Sequence, residues 1–250
     1  MPVGAFLSGG LDSSAIVAYV KNYTDVKLPT FTIRGKNDLG MADDFVYAKK
    51  VGKYLGVDVH PIDINHEIFF DIEEMIYCLD EPQADLAPIL VSYISKIAKE
   101  EHGIKVLLSG VGGDDIFSGY RRHQAIELDS YISKIPKLMR GKIRDLVQKL
   151  PSNSNFMRRL KKYTRYFDLD GDDKIISYFN WIDKDTRRNL LSSDVKSYLE
   201  NENHDTSFQL KKELEKLPKE TSDLNKMLSL DLKFFLPDHN LNYTDKKGMK

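Results

Sequence analysis

The residues best suited to chemistry lie in Phe6-Leu7-Ser8-Gly9-Gly10-Leu11-Asp12-Ser13-Ser14, between an apolar run, Val3 to Leu7, and a helix-compatible run, Ala15 to Val20. Strand, glycine turn and helix start, in that order, make an anion site. The N–H groups of a first helical turn point outward, and the helix dipole favours negative charge there. Gly9 and Gly10 let the backbone approach a ligand closely. Ser8, Ser13 and Ser14 add hydroxyl donors, whereas Asp12 repels a phosphate unless a cation lies between them. The pattern predicts a pyrophosphate cradle with Mg²⁺ held by Asp12. A Walker loop is excluded because no lysine follows the glycines, and the Gly-x-Gly-x-x-Gly fingerprint is absent. Phe6 stands where a serine nucleophile elbow needs glycine. A capping Ser/Gly turn explains SGG alone, but not apolar strand, SGGLDSS and apolar helix in succession.

A second glycine-rich stretch, Ser109-Gly110-Val111-Gly112-Gly113-Asp114-Asp115, lies about a hundred residues on. Alone it is equally well a helix-capping loop, with Asp114 or Asp115 acting on the turn through Phe117. Paired with the first loop it reads as a half-site whose Asp114 shares Mg²⁺ with Asp12.

The elements around these loops explain how they could meet. Strand candidates are Val3–Leu7, Thr30–Ile33, Val57–Ile62 and Lys105–Leu108. Between them run three helical faces: Val46, Tyr47, Val51, Tyr54 and Leu55; Ile68, Phe69, Ile72, Met75, Ile76 and Leu79; and Ile89, Leu90, Tyr93, Ile94 and Ile97. Alternating strands and helices predict an α/β fold, a parallel sheet with helices on both faces, followed by a helical region. Ligands of such sheets bind beyond the carboxyl ends of the strands, where both glycine motifs fall.

Composition sets the outer limits. The 250 residues are 41% hydrophobic and 30% charged, which fits a globular chain with a sizeable core. Thirty-seven Lys and Arg against 38 Asp and Glu leave no global pull toward nucleic acid or membrane. The single cysteine, Cys78, excludes an intrachain disulfide and fits a reducing compartment, so the cytoplasm is the expected location. Cys78 falls on an apolar-periodic helix and reads as core. No apolar run approaches a membrane span, and no signal peptide is expected ahead of the first motif. His66-Glu67 lacks the second histidine of a zinc protease helix, and Trp181 with Tyr178 and Phe179 reads as helical core.

SGGLDSS resembles the PP-loop of ATP pyrophosphatases, also called adenine nucleotide alpha-hydrolase-like enzymes, which cleave ATP between its α and β phosphates. The longer string Pro2 to Ser14 is similar to the synthetase domain of glutamine-dependent asparagine synthetases. Leu107 to Tyr120, Leu236-Pro237-Asp238-His239-Asn240-Leu241-Asn242-Tyr243-Thr244-Asp245-Lys246, and Asp80-Glu81-Pro82 with Ala87-Pro88 carry the same resemblance. It implies ATP and Mg²⁺ as cofactors and nucleotide contacts at Leu7, Ser8, Gly9, Gly10, Asp12, Ser13, Ser14, Ile33, Ser109 and Gly110. In that picture the backbones of Leu7 and Ile33 touch adenine, and Asp12 and Asp114 are the catalytic, metal-holding acids. The implied reaction amidates a carboxylate through an acyl-adenylate, most simply aspartate to asparagine with release of AMP and pyrophosphate. Ammonia, or a glutaminase domain supplying it, is the implied partner, and a homodimer stays open.

Val111 departs from the family pattern, which commonly has glutamate there, and valine cannot act as acid or base. The acceptor carboxylate is therefore open: another carboxylate, such as a sugar acid, or a non-catalytic nucleotide-binding subunit are alternatives. Residues 1–125 are expected to form the ATP-binding domain. Residues 126–250 are expected to form a mostly helical part of the synthetase domain, incomplete at its C-terminus. The N-terminal glutaminase domain that the resemblance implies is expected to be absent from these residues. Lys134, Lys137, Arg140, Lys142, Arg144, Lys149, Arg158, Arg159, Lys161, Lys162 and Arg165 make a basic stretch that could serve a tRNA-modifying enzyme. A solvated helical face balanced by Asp168, Asp170, Asp172 and Asp173 is the preferred reading, so nucleic acid is not an expected partner.

Overall fold

The computed structural model describes residues 1–35, 44–64, 66–81, 83, 85–182, 184–201 and 207–249. Pro82 lies outside the described residues, as do the side chains of His66, Glu67 and Phe69. The chain forms two compact units, Met1–Phe117 with Phe234–Lys250, and Ser118–Lys233.

In the first unit β1 (Val3–Phe6), β2 (Thr30–Gly35), β3 (Val59–Ile64) and β4 (Val106–Leu108) form one sheet in the order β3-β2-β1-β4. Every pairing is parallel, with Phe6 beside Phe31, Ile33 beside Ile62 and Val3 beside Val106. Parallel neighbours need helical crossovers. These are α1 (Leu11–Tyr23), α2 (Asp44–Leu55), a 3₁₀ turn (His66–Asp71), α3 (Ile72–Leu79) and α4 (Ala87–Glu100). Alternation along the strands sends side chains to both faces. Ala5 and Leu7 pack with Val17 and Ala48, whereas Phe31 and Ile62 pack with Ile94, Ala98 and Ile104. The α/β fold with a covered parallel sheet is thus the observed one.

Three sequence expectations need correction. The strand expected from Val57 begins at Val59, because the Val57 N–H donates to the Gly52 carbonyl at 3.0 Å and closes α2. Val46, Tyr47 and Tyr54 are exposed rather than packed. Helix α2 instead seats on Ala48 and Gly52, where a Cβ at Gly52 would stand 2.2 Å from Val59. Small residues let the helix approach the sheet, so its buried face carries little apolar signal. Trp181 lies beyond the end of a helix and is 61% exposed, so it is not core. Cys78 is half-buried on α3.

The second unit is helical: α6 (Arg121–Ile132), α7 (Lys137–Lys149), α8 (Asn155–Thr164), α9 (Gly171–Ser177), α10 (Lys184–Leu190), α11 (Ser193–Asn201), α12 (Phe208–Leu214) and α13 (Asp223–Leu230). The short α5 (Gly113–Phe117) precedes it, and a π-helix (Asp231–Leu241) and α14 (Asn242–Gly248) follow. Buried Asp231 is met by the Arg122 guanidinium at 2.5 Å and the His123 ring at 2.7 Å. The four acids after the basic stretch each take a cation: Arg144 on Asp168, Arg140 on Asp170, Lys226 on Asp172 and Lys211 on Asp173. Arg140 is itself buried and also donates to the carbonyls of Ile135 and Phe167. Two cations of the basic stretch therefore serve the fold. Burial pushes the Asp129 carboxyl up and the Lys174 ammonium down, and the two lie 3.6 Å apart beside the Tyr178 hydroxyl.

Candidate functional site

The sheet order reverses direction at β1, since β2 lies on one side of it and β4 on the other. The crevice beyond such a reversal is where ligands of open parallel sheets bind. The first loop leaves β1 there. Leu7 is buried and its N–H donates to the Phe31 carbonyl at 2.9 Å, while Ile33 lies half-buried on the adjacent strand β2. Ser8 and Gly10 are exposed. Gly9 has φ 79°, and a Cβ there would stand 2.5 Å from the Tyr47 backbone, so a side chain is barred on both counts.

The loop is braced by its own serines. Ser13 is buried; its hydroxyl accepts from the Ser8 N–H at 3.3 Å and lies 3.1 Å from the Ser8 hydroxyl. The Ser14 hydroxyl donates to the Gly10 carbonyl at 2.6 Å. No side chain caps α1, whose N-cap is Gly10. Its first-turn N–H groups therefore take no bond from a capping side chain, and Asp12 lies in that same first turn.

The second loop leaves β4 and is packed against the first. A Cβ at Gly110 would stand 2.7 Å from the Ser13 nitrogen, and one at Gly113 would stand 2.3 Å from the Asp12 carboxyl carbon. Only glycine lets Gly110 approach the α1 backbone and Gly113 the Asp12 side chain so closely. The contact carries Asp12 against the residue immediately before Asp114, which opens α5. The Ser109 hydroxyl accepts from the Val111 N–H at 3.2 Å, and Val111 itself is 36% exposed. Among the described residues no three His, Cys, Asp or Glu side chains are grouped to hold a metal alone. Mg²⁺ in phosphate sites takes only one or two carboxylates, the rest of its shell coming from phosphates and water. Asp12 and Asp114, beside an uncapped helix start, fit that donor set.

The other two family-like stretches also belong to the first unit. Leu236 lies 3.5 Å from where a Gly112 Cβ would stand. The Asn240 amide donates to Asp115, which is fully buried. Lys246 donates to the Leu79 carbonyl at 3.2 Å and to the Asp80 carboxylate. Asp80 ends α3 in the left-handed conformation, φ 64°, where an aspartate is tolerated better than most side chains. Sequence reasoning gave Asn240 and Asp115 no mutual role; no local signal links residues 125 positions apart.

Asp85 joins α4 to the π-helix. One carboxylate oxygen accepts from the Ala87 N–H at 3.0 Å, and the other lies 3.2 Å from His239 Nε2. The hydrogen bond from His239 holds the Asp85 carboxyl below its usual value, and the Ala87 N–H adds to it. The folded state thus prefers the ionised form. Its stabilisation is present above about pH 4, the ordinary aspartate range, and is lost as pH falls through the lowered folded value. His239→Ala should move the Asp85 midpoint, followed by carboxyl-carbon NMR, upward and raise the pH of acid unfolding. An unmoved midpoint would contradict the contact. Tyr243, edge-on to the His239 ring, has its hydroxyl pushed up to about 12 by burial.

With this geometry in place, the comparisons with known proteins are informative. Asparagine synthetase [glutamine-hydrolyzing] 1 of Bacillus subtilis is 36% identical over 121 residues, covering 48% of this chain and 18% of that protein. Asparagine synthetase [glutamine-hydrolyzing] 2 of Oryza sativa subsp. japonica is 33% identical over 137 residues, covering 48% of this chain and 22% of that protein. Amidase chyE of Penicillium rubens is 29% identical over 139 residues, covering 50% and 20%. The matched part of this chain thus spans well under a third of each of these relatives. The sequence profile of the Asparagine synthase family matches residues 1–250. From its paired glycine loops to its full-length profile match, this chain belongs to the asparagine synthase family.

Proposed function

We propose that this chain carries the ATP-dependent amidation step of an asparagine synthetase. The observation that supports it best is the mutual packing of the two glycine loops, with Gly113 on Asp12 and Gly110 on Ser13. One continuous backbone wall then lines the crevice beyond β1 and β4. The N–H groups of the first turn of α1, with the Ser8 hydroxyl at the loop's exposed edge, receive the β and γ phosphates. Asp12 and Asp114 would hold Mg²⁺, which when bound supplies charge neutralisation on the phosphates.

The substrate carboxylate oxygen attacks the α-phosphorus of ATP, forming a C–O–P bond as the bond to pyrophosphate breaks. The outward N–H groups stabilise the charge that grows on the leaving pyrophosphate. Ammonia then attacks the acyl carbon, and AMP leaves as the C–N bond forms. Loss of one ammonium proton to water or buffer completes the amide. Val111 supplies no base for that proton. Aspartate as acceptor and glutamine as the source of ammonia are taken from the relatives' names.

Val111 favours a second reading of the acceptor alone, in which the same chemistry amidates another carboxylate. A screen separates the two. Aspartate or uronic acids are supplied with Mg·ATP and ammonia, and amide and AMP are measured by mass spectrometry. Asparagine with equimolar AMP is the expected result. AMP appearing only with a uronic acid would move the acceptor, and AMP with none of them would remove the catalytic reading.

A further inference from the structure

We propose that Asn240 is a positioning residue for the second glycine loop, acting through Asp115 to fix the wall against which Asp12 rests. Helix α5 has only five residues. So short a helix cannot hold itself in place through its own hydrogen bonds, because nucleation is unfavourable and few bonds follow. Its position must come from outside partners. Asp115 is 0% exposed, and Asn240, itself 7% exposed, donates from Nδ2 toward both carboxylate oxygens at 3.3 and 3.5 Å. Asn240 is held in turn by Thr244, whose hydroxyl donates to the Asn240 carbonyl at 2.6 Å. One turn earlier Leu236 packs under Gly112.

The π-helix therefore meets the loop at Gly112 and Asp115, the residues on either side of Gly113-Asp114. Gly113 is the residue that contacts the Asp12 carboxyl. A neutral amide suits this place: it satisfies a buried carboxylate without adding charge beside the acids of the site. The effect on nucleotide affinity rests on the ATP reading above; the support of the loop does not.

A reciprocal exchange tests it. In Asn240→Asp two carboxylates face each other, and in Asp115→Asn two amides do. Each single variant should speed amide hydrogen exchange in residues 110–117 at least tenfold and weaken Mg·ATP binding about tenfold at pH 8. The double exchange, with donor and acceptor traded, should restore both toward the wild type, which mere loss of packing cannot do. If either single variant fails to fold, Asn240→Ala carries the same exchange readout. Exchange in 110–117 unchanged in the single variants, or a double variant no better than they are, would overturn the proposal. A wild type that binds no Mg·ATP but shows the exchange pattern would remove the nucleotide reading and leave the support of the loop standing.

Discussion

Asp12→Ala is expected to lower kcat/KM for pyrophosphate release by at least about 100-fold, the size of effect seen when one preorganised electrostatic group is removed from a reaction centre. The fold should barely notice. Asp12 sits half-exposed in the first turn of α1, where a carboxylate favours the helix by only about 0.3–1 kcal/mol. A large loss of activity at a nearly constant Tm is therefore the diagnostic pair. Asp12→Asn keeps the shape and removes the charge, so it should resemble Asp12→Ala in activity. Activity within a few-fold of wild type in both variants would take Asp12 out of the site.

Gly113→Ala should be as damaging to nucleotide binding, by a steric route. The added methyl would stand 2.3 Å from the Asp12 carboxyl carbon and 2.5 Å from one of its oxygens, so the loop or the carboxylate must move. Overpacking of this kind costs about 1–3 kcal/mol of stability, and the displaced carboxylate should cost about 100-fold in Mg·ATP affinity. Gly141→Ala on α7 is the control, because nothing lies within 4 Å of the added methyl and it is outside the site. Since Gly113→Ala and Asp12→Ala disturb one carboxylate, their effects on activity should not add. Wild-type affinity in Gly113→Ala would mean that the loop contact does not shape the site.

The sheet and its two loops were readable because they rest on local signals. Apolar runs followed by glycine clusters fall at β1 and β4, and parallel topology places both loops at one end. The buried side of α2 was not readable, since Ala48 and Gly52 seat the helix while Val46, Tyr47 and Tyr54 point outward. A contact made by small residues leaves no hydrophobic period. The pairing of Asn240 with Asp115 and of Asp85 with His239 was not readable either. These contacts join distant parts of the chain, and only the return of residues 234–250 to the first unit brings them together. The third family-like stretch was visible as a string, but its use as a brace was not.

The proposed reaction begins by joining a carboxylate to the α-phosphate of ATP. Aspartate-dependent exchange of labelled pyrophosphate into ATP tests it most directly, because it reports reversible adenylation without ammonia. Exchange is expected to require aspartate and Mg²⁺ together and to be removed by Asp12→Ala. Exchange independent of any carboxylate, or surviving intact in Asp12→Ala, would contradict it.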